Sequence, residues 1–156
     1  MNYMNHITFV CNIRAPLEKV WEFHETIDAL PILTPPYMKM TVEGVPEAPR
    51  KGARYPFRIR RNGLTMHWLA EYTRFDPPHG FTDFQVKGPF AYWEHRHDFE
   101  ATPEGTRLTD SITYKPPFGI FGWLADRLVL RADIAKMFAY RHRVTKERLE
   151  GETGRG

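Results

Sequence analysis

Between Tyr37 and Pro117 the chain reads as a succession of strands joined by short turns. Apolar and polar residues alternate along most of these segments, which is the pattern of half-buried strands. Asn62-Gly63 is a strong signal for a two-residue hairpin turn, because both turn positions need a positive φ. No helical crossover separates consecutive strands, so the sequence predicts an antiparallel meander rather than a parallel sheet.

The segments on either side of this region complete the predicted layout. His6 to Ile13 alternates as a first strand, and Pro16 suits the first turn of a helix because it lacks an amide hydrogen. A second short helix is expected from Thr26 to Leu30, with Pro31 ending it. The run from about Ile120 to Leu149 contains no proline and predicts one long terminal helix with an apolar stripe. The stripe consists of Leu124, Leu128, Ile134, Ala135, Phe138 and Val144.

Length and composition limit the class of protein. A chain of 156 residues that is 42% hydrophobic fits one globular domain, which we place at 1–150 with a disordered tail at 151–156. The net charge is +3, but no basic stripe with aromatic platforms appears, so no nucleic-acid partner is expected. No signal peptide or membrane-spanning run is evident, which predicts a cytoplasmic protein without stable membrane insertion. The single Cys11 is expected to be a packed thiol.

The stretch from Trp93 to Phe99 is the most informative for function. Side chains alternate along a strand, so His95 and His97 share the face of the two aromatic residues. A slip by one residue would expose both aromatics, and this fixes the histidines on the buried side. A purely structural core would not need these polar groups.

Two aspartates are predicted to join the histidines. A two-residue turn at Glu104-Gly105 would bring Asp110 onto the same face. A three-residue turn at Gly88-Pro89-Phe90 would place Asp83 opposite His95. The pairs predicted across the later hairpin are Phe99–Asp110, His97–Ile112 and His95–Tyr114.

We therefore predict that four candidate catalytic side chains point inward within hydrogen-bond reach of one another, because buried carboxylates need partners. They are His95, His97, Asp83 and Asp110. Such a group could bind zinc, act in general acid/base catalysis, or form a hydrogen-bonded cluster in which each aspartate fixes a histidine tautomer. One His-x-His pair without a third spaced histidine is a weak metal signal, so neither a metal nor another cofactor is expected.

Large flat side chains dominate the predicted inner face of the sheet. A concave surface of this kind suits a flat or lipid-like ligand, although part of the set is expected to be ordinary core. Arg141, on the terminal helix, could meet an acidic group of the ligand. The candidate ligand-binding residues are Tyr55, Phe57, Met66, Trp68, Gln85, Trp93, Phe99, Tyr114, Phe138 and Arg141.

The chain resembles the START and birch-pollen-allergen-like superfamily (SRPBCC, polyketide cyclase-like), and specifically its uncharacterised ligand-binding branch. The resemblance rests on the following segments: Leu33-Thr34-Pro35-Pro36, Trp68, Phe81-x-Asp83-x-Gln85-x-x-Gly88-Pro89-Phe90, Trp93-x-His95-x-His97-x-Phe99, Gly105-Thr106, Asp110, Tyr114-x-x-Pro117 and Phe138-x-Tyr140-Arg141. It implies an α+β helix-grip fold, in which a seven-stranded curved antiparallel sheet wraps around a long C-terminal helix, with two short helices after strand 1. It does not imply one activity.

Three functions follow as expectations. The first is binding of a small, mainly hydrophobic or aromatic ligand in an internal cavity between the sheet and the C-terminal helix. The second is a cofactor-free cyclase, dehydratase or isomerase that uses the histidine–aspartate cluster. The third is a regulator that acts through a protein partner, with the apolar loop Phe118–Trp123 as the contact. The sequence leaves open whether the chain forms a homodimer.

Overall fold

The computed structural model describes residues 3–153, and its elements follow the predicted α+β layout. The strands are β1 (Asn5–Ile13), β2 (Lys39–Val42), β3 (Arg54–Arg61), β4 (Leu64–Asp76), β5 (Gly80–Lys87), β6 (Tyr92–Thr102) and β7 (Gly105–Lys115). The helices are α1 (Leu17–His24), α2 (Ala29–Ile32), α3 (Gly119–Ala125) and α4 (Arg131–Thr153), and a π-helical segment (Asp126–Leu130) joins α3 to α4. The tail expected at 151–156 is helical as far as residue 153, and 154–156 lie outside the described residues.

The seven strands form one sheet in the order β1-β7-β6-β5-β4-β3-β2. Every pair of neighbours is antiparallel. The meander runs from β2 to β7, and β1 then pairs with β7 at the far edge. This arrangement confirms the predicted sheet and its long C-terminal helix. Within the described residues, no helix has both the length and the apolar character needed to cross a membrane.

The hairpin between β3 and β4 has the predicted register. Asn62 and Gly63 both have positive φ, at 50° and 78°. The observed pairs are Ile59–Met66, Phe57–Trp68 and Tyr55–Ala70. Because the turn type was fixed by these two residues, the sequence determined which aromatic side chains face each other.

The hairpin between β6 and β7 has a different register from the predicted one. Thr102 pairs with Gly105, so the turn is Pro103-Glu104. The observed pairs are Phe99–Leu108, His97–Asp110 and His95–Ile112. Gly105 is needed inside β7 because a side chain there would collide with the backbone carbonyl of Ile13. The error is two residues, which leaves every side chain on its predicted face.

The second helix was predicted from Thr26 to Leu30 and to end at Pro31, but it runs from Ala29 to Ile32 and includes the proline. Pro31 lies in the first turn of the helix, where the backbone amides have no partner within the helix. A proline in that position therefore removes no hydrogen bond.

The terminal helix contains an irregularity that the sequence did not predict. Ile134 and Phe138 of the expected stripe are buried, at 4% and 0% exposure, whereas Leu124 and Leu128 are 50% and 71% exposed. The π-helical segment explains the difference, because one additional residue rotates the preceding face by about 100° relative to a regular α-helix. The helical residues before the π-helical segment and those after it therefore face the sheet with differently rotated stripes.

The core lies between the sheet and the helices. Trp21 of α1 contacts the rings of Phe75, Phe81 and Phe99. Phe138 of α4 is stacked on Phe9 of β1, with ring centroids 4.9 Å apart. Elsewhere in the core, Cys11 is a buried free thiol, as predicted.

Candidate functional site

A cavity of about 630 Å³ lies between the inner face of the sheet and the C-terminal helix. The sheet contributes many aromatic side chains, the helix contributes apolar residues together with Asp133 and Arg141, and the α2 region closes part of the wall. Six of the predicted ligand-binding residues line it: Tyr55, Phe57, Met66, Trp68, Trp93 and Arg141. The rings of Phe57 and Trp68 are stacked 5.6 Å apart, and Trp93 meets Trp68 edge-on at the same distance.

Four other predicted ligand-binding residues lie outside the cavity wall. They are Gln85, Phe99, Tyr114 and Phe138. Each is buried and has a structural partner elsewhere. The sequence placed them correctly on the inner face. Alternation along a strand distinguishes the inner face from the outer one, but it does not distinguish core residues from residues of a cavity wall, since both lie on the inner face.

Their contacts explain these placements. Gln85 is hydrogen bonded to both the backbone amide and the carbonyl oxygen of Phe90, which fixes the loop between β5 and β6. Tyr114 donates to a buried carboxylate oxygen of Asp126 at 2.6 Å, in the π-helical segment. Phe99 packs in the Trp21 core, and Phe138 is enclosed between the helix and the sheet.

The four candidate catalytic residues lie together at one end of the cavity. His97 Nε2 is 3.0 Å from Asp83 Oδ2, and its Nδ1 is 3.0 Å from Asp110 Oδ1. His95 Nε2 is 2.7 Å from the same Asp110 oxygen. The two imidazole rings are 3.6 Å apart. Asp83, His95 and His97 line the cavity, whereas Asp110 lies behind the histidines and does not.

Strand pairing brings these residues together. Asp83 of β5 lies opposite His95 of β6, as predicted, and Asp110 of β7 lies opposite His97. Because all three strands are adjacent, the carboxylates flank the histidine pair from both sides. The stacked ring of Phe81, 4.0 Å from the His97 ring, limits the rotation of that imidazole.

Two histidines near the cavity were not singled out in the sequence. His142 of α4 contacts Asp110, with Nε2 2.6 Å from Oδ2. His24 of α1 lines the cavity and is hydrogen bonded to the carbonyl oxygen of Val20 at 2.7 Å. His142 follows Phe138 by four residues, which places both on one helix face, and this spacing was an available signal.

Burial and hydrogen bonding act in opposite directions on the charges of the cluster. Burial disfavours ionisation of Asp110, but hydrogen bonds from His142 and His95 hold its pKa well below the usual range. Burial likewise opposes the charge of Asp83, whose pKa is lowered by the hydrogen bond from His97. The two carboxylates are therefore ionised although they are buried.

The pKa values of the two histidines of β6 are shifted in opposite directions. Burial opposes a positive charge on His97, yet its hydrogen bonds to Asp110 and Asp83 raise the pKa. Burial and the nearby charge of His97 lower the pKa of His95 to about 4. Both nitrogens of His97 lie 3.0 Å from carboxylate oxygens, which accept but do not donate, so the protonated form of His97 is the one that these contacts stabilise.

Arg141 and an ion pair lie elsewhere in the cavity wall. The guanidinium of Arg141 lies over the Phe138 ring, with Cζ 5.4 Å from the ring centroid. Among the described residues it has no carboxylate partner. Arg61 at the end of β3 donates to Asp133 of α4 at 2.9 Å, and both residues line the cavity. This ion pair connects the β3–β4 hairpin to the helix.

A curved antiparallel sheet that closes on a long helix, with a cavity between them, defines the helix-grip class of proteins. Residues 13–139 match the family described as "Polyketide cyclase / dehydrase and lipid transport". The chain therefore belongs to this family, within the START and birch-pollen-allergen-like superfamily that its sequence resembles. A comparison with curated proteins by sequence gives no match.

Solved structures agree with this fold. Protein CV1439 from Chromobacterium violaceum has a TM-score of 0.75 and 15% identity, covering 94% of this chain and 98% of its own. Protein TTHA0849 from Thermus thermophilus has a TM-score of 0.72 and 23% identity, covering 96% and 99%. Ara h 8.0201 has a TM-score of 0.72 and 12% identity, covering 96% and 99%.

Proposed function

We propose that this protein binds a small, mainly apolar ligand that carries one acidic group, in the cavity between the sheet and α4. The observation that carries the proposal is the cavity itself. Its volume of about 630 Å³ lies within the ~300–1,000 Å³ of typical small-molecule sites. An aromatic wall with a few polar groups at one end favours a ligand with an apolar body and one polar end.

Arg141 is the feature that favours an acidic group on the ligand. Its guanidinium lines the cavity and forms no ion pair with any carboxylate in the described part of the chain. Hydrogen bonds from a guanidinium to a carboxylate are charge-assisted and stronger than neutral ones. The description of the family includes lipid transport, and this is consistent with a cargo of that chemistry.

Native mass spectrometry of the freshly purified protein tests ligand binding first. A co-purifying small molecule, with a mass that disappears on denaturation, is the expected result. A second protein in its place would favour the partner-dependent regulator instead. Displacement of an apolar fluorescent probe by a medium-chain carboxylic acid then measures affinity. A folded protein that binds neither cargo nor probe would refute the proposal.

The variant Arg141→Met tests the polar contact. It removes the charge and keeps most of the apolar stem, so the affinity for the carboxylic acid should fall about tenfold while that for its methyl ester is unchanged. Arg143→Met is the matched control, because Arg143 is on the same helix but is exposed and paired with Glu147. An equal loss for the acid and the ester would contradict the assigned role of Arg141.

A second candidate function is general acid/base catalysis on the bound ligand. Asp83, His95 and His97 line the cavity, and the family description includes cyclase and dehydrase activities. A dehydration or cyclisation needs one group that donates a proton and one that accepts it. Incubation with a model β-hydroxy ketone tests this function, since dehydration lowers the product mass by one water. The activity should be lost in His97→Gln while probe binding is retained.

A further inference from the structure

We propose that Asp83, His95 and His97 form a binding site for one divalent transition-metal cation at the polar end of the cavity. The sequence alone disfavoured a metal because it lacks a third spaced histidine. The structure supplies a carboxylate as the third ligand. Ligand atoms of the three residues lie within 4.8 Å of one another. This proposal is independent of the nature of the organic ligand.

The distances between the candidate ligand atoms fit a metal. His97 Nε2 is 3.0 Å from Asp83 Oδ2, and His95 Nδ1 is 3.9 Å from the same oxygen. A cation with bonds of ~2.1 Å separates its ligand atoms by ~3.0 to 3.4 Å, depending on the coordination geometry. All three ligand atoms lie within 4.8 Å of one another, so side-chain shifts of up to about 1.5 Å would complete the coordination without a change in the strands.

The outer nitrogens of both histidines are already held. His95 Nε2 and His97 Nδ1 both contact Asp110 Oδ1, at 2.7 and 3.0 Å. The nitrogens that face Asp83 are the opposite ones, His95 Nδ1 and His97 Nε2. A carboxylate that accepts from the outer nitrogen of a ligating histidine is the usual support for such a ligand, since it fixes the tautomer and the ring orientation. Here a single aspartate does this for two histidines.

Charge and access also favour a cation at this position. Asp83 and Asp110 are two buried or nearly buried carboxylates, and a dication would neutralise both. All three ligating residues line the cavity, so a coordination position remains open on the cavity side.

The ligand set indicates the class of metal. Two imidazole nitrogens and one carboxylate oxygen suit Zn²⁺, Fe²⁺ and Co²⁺, whereas Mg²⁺ and Ca²⁺ prefer sites made of oxygen atoms alone. Three protein ligands with an open position resemble catalytic rather than structural zinc sites. We therefore expect a site that binds the zinc class of cations and does not respond to Mg²⁺.

Titration of the chelator-stripped protein with Co²⁺ alone tests the proposal. Visible absorption should show one equivalent bound, and Zn²⁺ should displace it. His95→Gln and His97→Gln should each weaken binding about 100-fold or more, because each removes one ligand. Asp110→Asn should weaken it about 10- to 100-fold while the Co²⁺ spectrum keeps the same band positions, because Asp110 only positions the ligands.

His67→Gln is the control for binding to surface histidines, because His67 is exposed and far from the cluster in β4. It should leave the titration unchanged. X-ray absorption of the zinc-loaded wild-type protein keeps the proposal testable if a variant does not fold. One shell that contains two imidazole nitrogens about 2.0 Å from zinc is expected. The proposal is overturned if the stripped wild-type protein binds no Co²⁺, or if binding survives both histidine substitutions. An X-ray absorption spectrum of the zinc-loaded protein without imidazole ligands would overturn it as well.

Discussion

Asp110 accepts hydrogen bonds from three histidines, two on the neighbouring strand and one on the C-terminal helix. A buried carboxylate with several donors is stable in its charged form. The dependence is mutual, because each histidine also relies on a carboxylate for at least one ring nitrogen. Loss of one member therefore leaves another member buried without its partner, which costs more than the pair contributes.

A double-mutant cycle on Asp83 and His97 tests this mutual dependence. In metal-stripped protein, Asp83→Leu and His97→Leu should each lower the free energy of unfolding by about 3 kcal/mol, because each leaves a buried partner unpaired. The double variant should cost about 2 kcal/mol less than the sum of the single costs. Urea unfolding measures all four proteins. Strictly additive costs would mean that the two side chains do not stabilise each other.

His24 should make stability depend on pH. Burial lowers its pKa from 6.5 to about 4, with a smaller lowering from His97 and opposing contributions from the Val20 carbonyl and Asp110. Below about pH 6.5 the unfolded chain takes up a proton at His24 that the folded chain does not, so stability falls as the pH falls towards about 4.

The variant His24→Leu removes this contribution. Between about pH 7.5 and pH 5, the wild-type protein should lose about 2 kcal/mol more stability than the variant does. The remaining pH dependence comes from the other titrating groups, among them His95 and His97 with their shifted pKa values, and it should be the same in both proteins. Chemical denaturation at the two pH values measures the difference. Parallel losses would mean that His24 is protonated in the folded state.

Face parity made the residues of the cluster predictable. His95 and His97 had to follow Trp93 and Phe99 into the interior, and an error of two residues in the β6–β7 register did not change this. Face parity along a strand could not predict the third histidine of the cluster, because that histidine lies on a helix. His142 is 32 residues from Asp110 along the chain, and only the packing of α4 on the sheet brings the two together.

At the scale of elements, glycines and turns decided where the prediction succeeded. Asn62-Gly63 has one function, to form a turn, and it fixed the β3–β4 register. Gly105 looked like a turn residue, but it is required for close approach to β1. The π-helical segment has no sequence signature, because it depends on how α3 and α4 are each rotated toward the sheet.

Gly122 and Gly151 provide a test within the C-terminal helical region. A side chain at Gly122 would collide with the carbonyl oxygen of Pro117, whereas one at Gly151 would meet nothing within 4 Å. Gly122→Ala should therefore destabilise the protein by about 2 kcal/mol or more, although alanine is the better helix former. Gly151→Ala should be neutral or stabilise by up to ~1 kcal/mol. Thermal and urea unfolding compare the two. A stable Gly122→Ala variant would mean that α3 does not pack closely on the preceding prolines.

At the scale of the whole molecule, backbone pairing is most extensive around β7 and weakest at β2. β7 is paired on both sides along nearly its whole length, whereas the short edge strand β2 pairs only with β3 over Lys39–Val42. The order of β2 to β7 followed from their alternation and short connections. A cavity between the sheet and the helix was expected as well, but its volume was not predictable, because it depends on how far the helix stands from the sheet and no local pattern encodes that distance.

Hydrogen exchange should reveal the same gradient. Amides of β6 and β7 should exchange slowest, and those of α2 and β2 fastest, because short edge elements open without unfolding the core. Leu30, Leu33 and Met40 of this region line the cavity, so an apolar probe in the cavity should slow exchange there and leave β7 unchanged. Mass spectrometry of peptic fragments measures both. Uniform exchange across the sheet would contradict the gradient. Unchanged exchange in α2 and β2 on addition of the probe would mean that the probe binds elsewhere.

The hydrogen bond between His142 and Asp110 connects the helix directly to the carboxylate behind the two cavity-lining histidines. Any cargo large enough to push α4 outward must stretch that bond, and the strain reaches both histidines of β6 through the shared carboxylate. The two effects are then thermodynamically linked. The free energy by which an occupied cavity shifts the state of the cluster equals the free energy by which that state shifts the affinity for the cargo. The imidazole resonance of His142 should therefore report, in an NMR titration, whether the cavity is occupied.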